Sequence, residues 1–245
     1  MLKILVIGAT SLIAQETIRH FAADGAEFFL VGLSADKLKM IQDDLLVRGA
    51  KQVSTYELDL TRLDKHQELV DTAMETLGVI DAVLVAHGTL TDQKAAEQNV
   101  DITLRELNIN FLSAVSLLTI LANIFEEQKR GVIAVISSVA GDRGRGSNYV
   151  YGTAMGAKSI FLQGLRNRLA KSNVTVLTVK PGFVDTPMTA HLKKNPLYSD
   201  PRRVGKAIYD AMKSERDILY VPFFWMFIMM IIRNIPERIF KKLSL

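Results

Sequence analysis

Residues 132–169 read VIAVISSVAGDRGRGSNYVYGTAMGAKSIFLQGLRNRL, and this stretch decides the fold. Its first five residues, Val132 to Ile136, are all apolar and predict a strand that is buried on both faces. Two serines and a loop rich in glycine and arginine follow, and a long helical stretch opens at Tyr151. A buried strand that leads through a loop into a helix is the repeating unit of an α/β fold with a parallel sheet.

The rest of the chain repeats this alternation. Six further apolar runs predict strands, at residues 2–7, 28–31, 53–58, 80–85, 174–179 and 218–221. Helical patterns lie between them, among others at 34–47, 63–77, 100–127 and 201–214. This order predicts an α/β fold with a doubly wound parallel sheet of the Rossmann type, in a single domain over residues 1–221. An apolar and basic tail, residues 222–245, follows the domain.

The composition restricts the class of protein. Of the 245 residues, 49% are hydrophobic and 23% are charged, which allows a large core and argues against disorder. The chain has no cysteine, which excludes disulfides and thiol chemistry and fits a cytoplasmic protein. We find neither a signal peptide nor an uncharged apolar run of about 18 residues. The sequence suggests no metal site and no nucleic-acid partner.

Small and polar residues follow several predicted strands, at the edge where parallel sheets bind ligands. Gly8 ends the first strand, and Thr10, Ser11 and Ile13 open the helix behind it. Such a turn can hold a pyrophosphate on backbone N–H groups. The residues that follow the later strands are Asp59, Ala86, His87, Gly88, Ser138, Pro181, Gly182, Val184 and Thr186. Ser11 and Asp59 also have a simpler interpretation as helix N-caps.

Three motifs make most of the chain, residues 1–222, resemble the short-chain dehydrogenase/reductase family. Ser138 precedes Tyr151 by thirteen residues, and Asn110 lies in a predicted helix twenty-eight residues before Ser138. The turn from Pro181 to Thr186 has the pattern PGxxxT. The resemblance implies an oxidoreductase in which Ser138 holds a carbonyl oxygen, Tyr151 transfers its proton and Asn110 holds a water. It also implies a small-molecule carbonyl substrate and a homodimer or homotetramer.

The resemblance further implies NAD or NADP as cofactor. The residues it assigns to the cofactor are Gly8, Thr10, Ser11, Ile13, Asp59, Ala86, His87, Gly88, Pro181, Gly182, Val184 and Thr186. His87 is interpreted as a loop residue beside the cofactor rather than a catalytic acid. Neither an acidic residue nor an arginine follows the second strand directly, but Ser34 and Lys37 could bind a phosphate, which favours NADP over NAD.

Position 155 departs from the family pattern. The family has a lysine four residues after the tyrosine, where the cation lowers the tyrosine pKa and binds the cofactor ribose. Here the residue is Met155, whose thioether carries no charge. Lys158 lies about two helical turns after Tyr151, but we interpret it as a solvated or interface lysine. The chain is therefore either an active oxidoreductase, as Ser138 and Tyr151 favour, or a non-catalytic member that binds a cofactor or partner, as Met155 favours.

The loop GDRGRGSNYVYG, the first turn and the tail resemble a bacterial subgroup of the family, the decaprenylphosphoryl-2-keto-ribose reductases and their relatives. This implies a lipid-linked or phosphorylated sugar as substrate. Arg143 and Arg145 either face a substrate phosphate or lie at the surface or a subunit interface. In the tail, the uncharged segment ILYVPFFWMFIMMII (218–232) precedes four basic residues and one acid, which predicts peripheral contact with the inner membrane. Packing on a partner subunit or at the substrate entrance is the alternative.

Overall fold

Seven strands form a single sheet in the computed structural model, which describes residues 1–243. They are β1 (Lys3–Ile7), β2 (Glu27–Gly32), β3 (Gln52–Glu57), β4 (Ala82–Val85), β5 (Gly131–Ile136), β6 (Val174–Pro181) and β7 (Ile218–Val221). The strands pair in parallel, and their order across the sheet is β3-β2-β1-β4-β5-β6-β7. The chain order reverses between β1 and β4, which is where open parallel sheets bind ligands. Ser244 and Leu245, the end of the predicted tail, lie outside the described residues.

Helices cover both faces of the sheet. They are α1 (Leu12–Ala23), α2 (Ala35–Val47), α3 (His66–Leu77), α4 (Gln93–Gln98), α5 (Val100–Leu107), α6 (Ser113–Gln128), α7 (Tyr149–Leu169), α8 (Pro201–Lys213), α9 (Phe224–Asn234) and α10 (Glu237–Phe240). A π-helical segment, Asn108–Leu112, joins α5 to α6. A short 3₁₀ turn, Val139–Asp142, lies between β5 and α7. The predicted doubly wound parallel sheet is confirmed.

Each face of the sheet carries its own hydrophobic layer, because successive side chains of a strand point to opposite sides. In β1, Ile4 and Val6 join residues of α1, α2 and α8 in one layer. Leu5 and Ile7 join residues of α3, α6 and α7 in the other. All four side chains are fully buried, which is why the strand reads as a nearly continuous apolar run.

Several local predictions differ from the structure. The helix α7 begins at Tyr149, so Tyr151 lies in its first turn instead of opening it. The helix predicted over 100–127 is interrupted by the π-helical segment. The predicted Ser11 cap is wrong, because Ser11 makes no side-chain hydrogen bond to the start of α1. Asp59 caps no helix either: its Oδ1 accepts hydrogen bonds from the Thr61 N–H and hydroxyl at 2.9 and 2.8 Å, within a local turn.

The tail folds into α9 and α10, and one side of α9 packs on the domain. Trp225 and Met229 are buried there and form a small cluster with Val139. The opposite side of α9 and the turn before it leave large apolar side chains exposed. These are Phe223, Phe224, Met226, Phe227, Met230 and Ile231. The tail is therefore an amphipathic helix held against the domain along one stripe.

Arg143 fastens the end of α9 to the loop after β5. Its guanidinium donates hydrogen bonds to the carbonyl oxygens of Ile232 and Ile235 at 2.6 and 2.7 Å. It also pairs with Glu237 at 2.9 Å and lies 3.6 Å from the centre of the Phe240 ring. These contacts supply donors to carbonyl groups at the C-terminal end of the helix, where the regular helical hydrogen bonds end. Arg143 is thus a structural residue that holds the tail within the same chain, and not a free surface arginine.

One helical stretch among the described residues, Val100–Gln128, is long and apolar enough to cross a membrane by length and composition. Its second half, α6, packs in the hydrophobic layer with α3 and α7. Leu117, Leu121 and Phe125 of this half are fully buried. The stretch is therefore accounted for as a core helix of the domain.

Candidate active site

Two adjoining cavities form one cleft along the carboxyl edge of the sheet. The first cavity, of about 750 Å³, is bordered by segments that follow β4, β5 and β6 and by α7. The second cavity, of about 610 Å³, is bordered by segments that follow β1, β2 and β3. The residues that border both cavities are Ser11, Ile13, Ala86, His87, Gly88, Thr89, Thr186 and Met188. The cleft therefore crosses the point where the strand order reverses.

Ser138 and Tyr151 border the first cavity together. Two glycines allow the loop after β5 to lie directly on α7. A Cβ atom on Gly141 would lie 2.5 Å from the backbone N of Gly156, and one on Gly156 would lie 2.9 Å from the Gly141 carbonyl oxygen. Ser138 Oγ accepts a hydrogen bond from the Ala140 N–H at 3.1 Å, so its hydroxyl proton can still be donated.

The Tyr151 hydroxyl is set up as a proton donor. Burial raises the pKa of Tyr151, and its hydrogen bond with Ser138 offsets the increase only in part. Since the ordinary tyrosine pKa is already about 10, the phenol keeps its proton at neutral pH. A protonated tyrosine beside a serine hydroxyl can protonate one oxygen atom while the serine holds it.

Met155 and Lys158 border the same cavity, and both are buried, with 3% and 1% of their surface exposed. The interpretation of Lys158 as a solvated or interface lysine is therefore wrong. Its Nζ donates to the carbonyl oxygen of Ile136 at 3.4 Å, at the end of β5, and burial lowers its pKa to about 8. Within residues 1–243 no carboxylate pairs with it. The cavity thus contains a cation although position 155 supplies none.

His87 lies where the two cavities meet. Ser113 donates its hydroxyl proton to the Ile109 carbonyl at 2.7 Å, so it accepts a hydrogen bond from His87 Nε2–H at 2.8 Å. His87 Nδ1 then carries a lone pair, which has no partner among the described residues. Burial, and next the charge of Lys158, lower the pKa of His87 to about 3, so the ring stays neutral. A neutral His87 can accept a hydrogen bond in the cleft, but it is no proton donor at physiological pH.

Asn110 lies in the π-helical segment and is fully buried. Its Oδ1 accepts from the Thr89 N–H at 3.0 Å, and its Nδ2 donates to Thr89 Oγ1 and to Glu106 Oε2 at 3.2 and 3.3 Å. The buried Glu106 also accepts from the hydroxyls of Thr89 and Thr91 at 2.7 and 3.0 Å. Asn110 therefore fixes the loop after β4 against the helix and borders the first cavity.

The residues assigned to a cofactor divide between the two cavities. Gly8 has a φ of 83°, and a Cβ atom there would lie 2.5 Å from the backbone N of His87, so only glycine allows the close approach. Gly8, Thr10 and Asp59 border the second cavity alone, and Pro181, Gly182 and Val184 border the first alone. Ser34 and Lys37 border neither; Ser34 Oγ instead caps α2 by accepting from the Lys37 N–H at 3.4 Å.

The tail contributes to the wall of the first cavity through Trp225. The indole lies on the turn after β6, where a Cβ atom on Gly182 would lie only 1.8 Å from Trp225 Nε1. The ring also meets Phe183 edge-on, with 5.6 Å between centroids. Replacing Gly182 is therefore incompatible with the present position of α9.

The two arginines of the loop have different environments. Arg143 holds the tail and does not border the first cavity, whereas Arg145 does. Arg145 forms no ion pair among residues 1–243, and burial alone lowers its pKa. Within the same residues, no group of three or more His, Cys, Asp or Glu side chains could hold a metal ion.

A family comparison matches most of the domain. Residues 3–197 match the model of the short chain dehydrogenase family. The chain belongs to this family. An uncharacterized oxidoreductase of Mycobacterium tuberculosis is 32% identical over 240 residues, which cover 98% of this chain and 96% of that protein. An uncharacterized oxidoreductase of Streptomyces coelicolor is 29% identical over 242 residues, which cover 98% and 95%.

Three solved structures have a similar fold. Levodione reductase has a TM-score of 0.81 with 19% identity and covers 90% of this chain and 95% of its own. An alcohol dehydrogenase from Thermococcus sibiricus, complexed with 5-hydroxy-NADP, has a TM-score of 0.79 with 21% identity and covers 90% and 96%. An NAD⁺-bound xylitol dehydrogenase has a TM-score of 0.78 with 20% identity and covers 90% and 97%. At these identities the likeness supports the fold and no more.

Sequence reasoning missed several residues in and behind the cleft. Gln93 borders the first cavity, and Glu106 binds Asn110 and Thr89 behind it; no local pattern distinguishes either from surface residues of a helix. For Trp225 the sequence offered only the alternative that the tail packs at the substrate entrance, without singling out the residue. For Lys158 the spacing to Tyr151 was a usable signal, since seven residues place both side chains on one helix face.

Proposed function

We propose that this protein transfers hydride between a nicotinamide cofactor and a small carbonyl compound or alcohol. The observation that carries the proposal is that Ser138, Tyr151 and Lys158 border one cavity of the cleft. A phenol that keeps its proton and a hydroxyl donor suit the carbonyl oxygen in a reduction, and a cation in the same cavity suits the hydroxyl groups of a cofactor.

The residues that border the two adjoining cavities suit a dinucleotide in their chemistry. Its second cavity contains the Gly8 turn and the N-terminus of α1, which suit a pyrophosphate. The unpaired His87 Nδ1 supplies an acceptor at its middle, suited to a ribose hydroxyl. When bound, a nicotinamide cofactor supplies a hydride equivalent for the carbonyl carbon. Pro181, Gly182, Val184 and Thr186 border the first cavity and would hold the nicotinamide half.

Tyr151 and Ser138 act on the substrate oxygen in this proposal. Ser138 donates a hydrogen bond that holds the oxygen, and Tyr151 Oη gives up its proton to it as the carbon is reduced. Tyr151 is fully protonated at neutral pH, which suits the direction of reduction, although burial also makes the phenol a weaker acid by raising its pKa. Asn110 acts indirectly, by holding the loop at Thr89 that borders both cavities.

Lys158 takes the place of the family lysine as the cation of the site. It is buried, it is unpaired with any described carboxylate, and its charge already acts on His87. Its pKa of about 8 leaves it mainly protonated at pH 7. In this position it can donate hydrogen bonds to cofactor hydroxyls, which the thioether of Met155 cannot do.

NADPH is proposed as the preferred reductant. The chain after β2 offers no acidic side chain at Gly32, Leu33 or Ser34 that would select a free ribose 2′-hydroxyl. Arg105 borders the second cavity and is 68% exposed, and its only ion pair among the described residues is a long one, 3.8 Å to Glu106 Oε1, so its guanidinium can also contact a 2′-phosphate. Ser34 and Lys37, which the sequence suggested for this purpose, do not border the cavity.

The substrate is proposed to be a lipid-linked or phosphorylated sugar. The protein is proposed to be a cytoplasmic enzyme that binds this substrate at the membrane surface. Two features support this. The exposed apolar side of α9 is followed by Arg233, Arg238, Lys241 and Lys242, which suits an anionic membrane surface. The same helix lines the first cavity through Trp225, so membrane contact would bring the cleft near a lipid-bound substrate.

A second candidate function is a family member that binds a cofactor or partner without turnover. The buried Met155 in the cavity favours it, because the usual family cation is absent at that position. The two candidates differ in one measurement. We expect the wild-type protein to bind NADPH and to oxidise it with members of a panel of ketones that includes sugar phosphates. We expect Tyr151→Phe to bind NADPH equally well but to turn over at least about 100-fold more slowly.

The control for this assay is Tyr149→Phe, an exposed tyrosine on the same helix that borders neither cavity. Cofactor binding without turnover in the wild-type protein, across the panel and across pH 5–9, would support the non-catalytic function. Equal turnover of Tyr151→Phe and wild type would refute the assigned role of Tyr151.

A further inference from the structure

Three residues that border the first cavity carry a buried hydrogen-bond donor with no acceptor among the described residues. These donors are Gln93 Nε2, Arg145 Nε and Trp225 Nε1. The first belongs to α4, the second to the loop before α7 and the third to the tail helix α9, so three separate segments supply them. Buried donors without acceptors are uncommon in folded proteins and call for a partner. The first cavity is the space that these three residues share.

Gln93 is oriented by the protein. Its Oε1 accepts a hydrogen bond from the Val150 N–H at 3.1 Å, which fixes the amide and leaves Nε2 as the unpaired atom. Gln93 is also 93% buried, with 7% of its surface exposed. The amide therefore presents a donor, and not an acceptor, to its surroundings.

Arg145 adds a positive charge that nothing in the described chain neutralises. Its neighbour Arg143 is saturated by three carbonyl groups and Glu237, whereas Arg145 has no ion pair and an unpaired, buried Nε. Two unpaired acceptors, Asn148 Oδ1 and His87 Nδ1, belong to residues that also border the cavity. Donors and positive charge thus outweigh acceptors in this region, which suits an oxyanion with a hydroxyl nearby.

We propose that Gln93, Arg145 and Trp225 form a subsite for an oxyanion, phosphate or carboxylate, carried by the substrate. This rests on the proposed function only in calling the ligand a substrate; the binding of the oxyanion itself does not. The carbonyl group of such a substrate reaches Ser138 and Tyr151 in the same cavity, while its charged end is held by Arg145. The subsite restricts the substrates to carbonyl compounds with a negatively charged group.

Trp225 is the single tryptophan of the chain, so its fluorescence reports on this subsite directly. The protein is first saturated with NADP⁺, which occupies cofactor phosphate sites and does not fluoresce, and is then titrated with methyl phosphate, acetate or chloride at constant ionic strength. We expect a saturable change of Trp225 emission with methyl phosphate or acetate and none with chloride. Which of the two binds more tightly identifies the oxyanion.

Two variants and their matched controls test the residues. Arg145→Gln is expected to weaken the binding about 10- to 100-fold, and the exposed Arg203→Gln to leave it unchanged. Gln93→Glu keeps the acceptor for the Val150 N–H but replaces the donor by a carboxylate, so it should abolish binding, whereas the exposed Gln98→Glu on the same helix should not. Circular dichroism of all four variants excludes unfolding as the cause.

Three results would overturn the subsite. They are the absence of a saturable response to any oxyanion, equal affinity in Arg145→Gln and Arg203→Gln, and unchanged affinity in Gln93→Glu. The failure of the proposed function would give a different result. The protein would then not bind NADP⁺ or NADPH, or would not turn over, while the Trp225 emission of the cofactor-free protein would still change on titration with an oxyanion.

Discussion

Lys158→Met is expected to raise the free energy of unfolding while it lowers cofactor binding and activity. The ammonium of Lys158 is 1% exposed, and burial lowers its pKa from 10.5 to about 8. At neutral pH this pKa shift means that burying the charge lowers the free energy of unfolding by about 3 kcal/mol. A methionine of similar length removes that cost. For a domain of this size the melting temperature should rise by roughly 5–10 °C.

The pH dependence of this gain follows from the direction of the shift. The pKa of Lys158 is lower in the folded protein, so the unfolded chain binds more protons between pH 8 and 10.5, and wild-type stability rises over that range. The advantage of Lys158→Met is therefore largest below about pH 8 and disappears towards pH 10.5. Thermal unfolding at several pH values measures it, with the exposed Lys171→Met as the control.

The functional half of the prediction uses the same variant. Removing the cation should weaken NADPH binding by about 10- to 100-fold, since one or two charge-assisted hydrogen bonds are lost. Wild-type affinity should itself fall above about pH 8, as Lys158 loses its proton, and this pH dependence should be absent in Lys158→Met. The reasoning would be refuted by a Lys158→Met protein that is less stable than the wild type and that binds NADPH with the wild-type affinity and pH dependence.

Four further predictions follow from the site and the tail. Met155→Lys alone should give no gain in activity, because two ammonium groups would then share one cavity. In the Lys158→Met background the same substitution should restore part of the lost NADPH affinity, and no recovery at any pH would contradict this. Gly182→Ala places a Cβ atom within 1.8 Å of Trp225 Nε1, so it should displace α9 and shift Trp225 emission to longer wavelength, whereas Gly164→Ala, with open space around it, should not. Titrations of the wild-type protein should show tighter binding of NADPH than of NADH, and Arg105→Gln should remove the difference; equal affinities would contradict the assignment. Met230→Glu on the exposed side of α9 should reduce co-sedimentation with anionic liposomes at low salt, while Met40→Glu on the exposed side of α2 should not; equal sedimentation of the two would show that α9 does not bind membranes.

The fold could be predicted from the sequence because its signals are local and repeated. Each strand is a short apolar run, and burial on both faces of the sheet makes such runs distinct from the amphipathic helices between them. Errors arose where tertiary contacts override a local preference. Ser11 precedes a helix as a cap residue would, yet its side chain caps nothing. Asn110 lies within an apolar helical pattern, which predicts a continuous α-helix. In the structure it belongs to a π-helical segment and binds the loop at Thr89, and the hydrophobic periodicity gives no sign of either.

The candidate site could be predicted only in part, because a cavity collects residues from segments whose distance in the sequence carries no information. Ser138 and Tyr151 were found through their spacing, but their meeting depends on the contact of Gly141 with Gly156, which is visible only in three dimensions. Arg143 and Arg145 are alike in the sequence, and only the path of the tail decides that the first holds α9 and the second borders the cavity.

Lys158 shows most clearly what spacing alone leaves undecided. On a helix, residues 151, 155 and 158 share one face, so a cation at 155 or at 158 points towards the same side of the sheet. Whether residue 158 is then solvated or buried depends on what covers that face, and here the end of β5 covers it, with the Ile136 carbonyl oxygen 3.4 Å from the ammonium. Holding an ammonium at this depth costs about 3 kcal/mol, a cost that a neutral side chain would avoid. A buried cation that has no carboxylate partner among the described residues, in a cavity that Tyr151 also borders, is therefore better explained by a ligand that uses its charge than by packing.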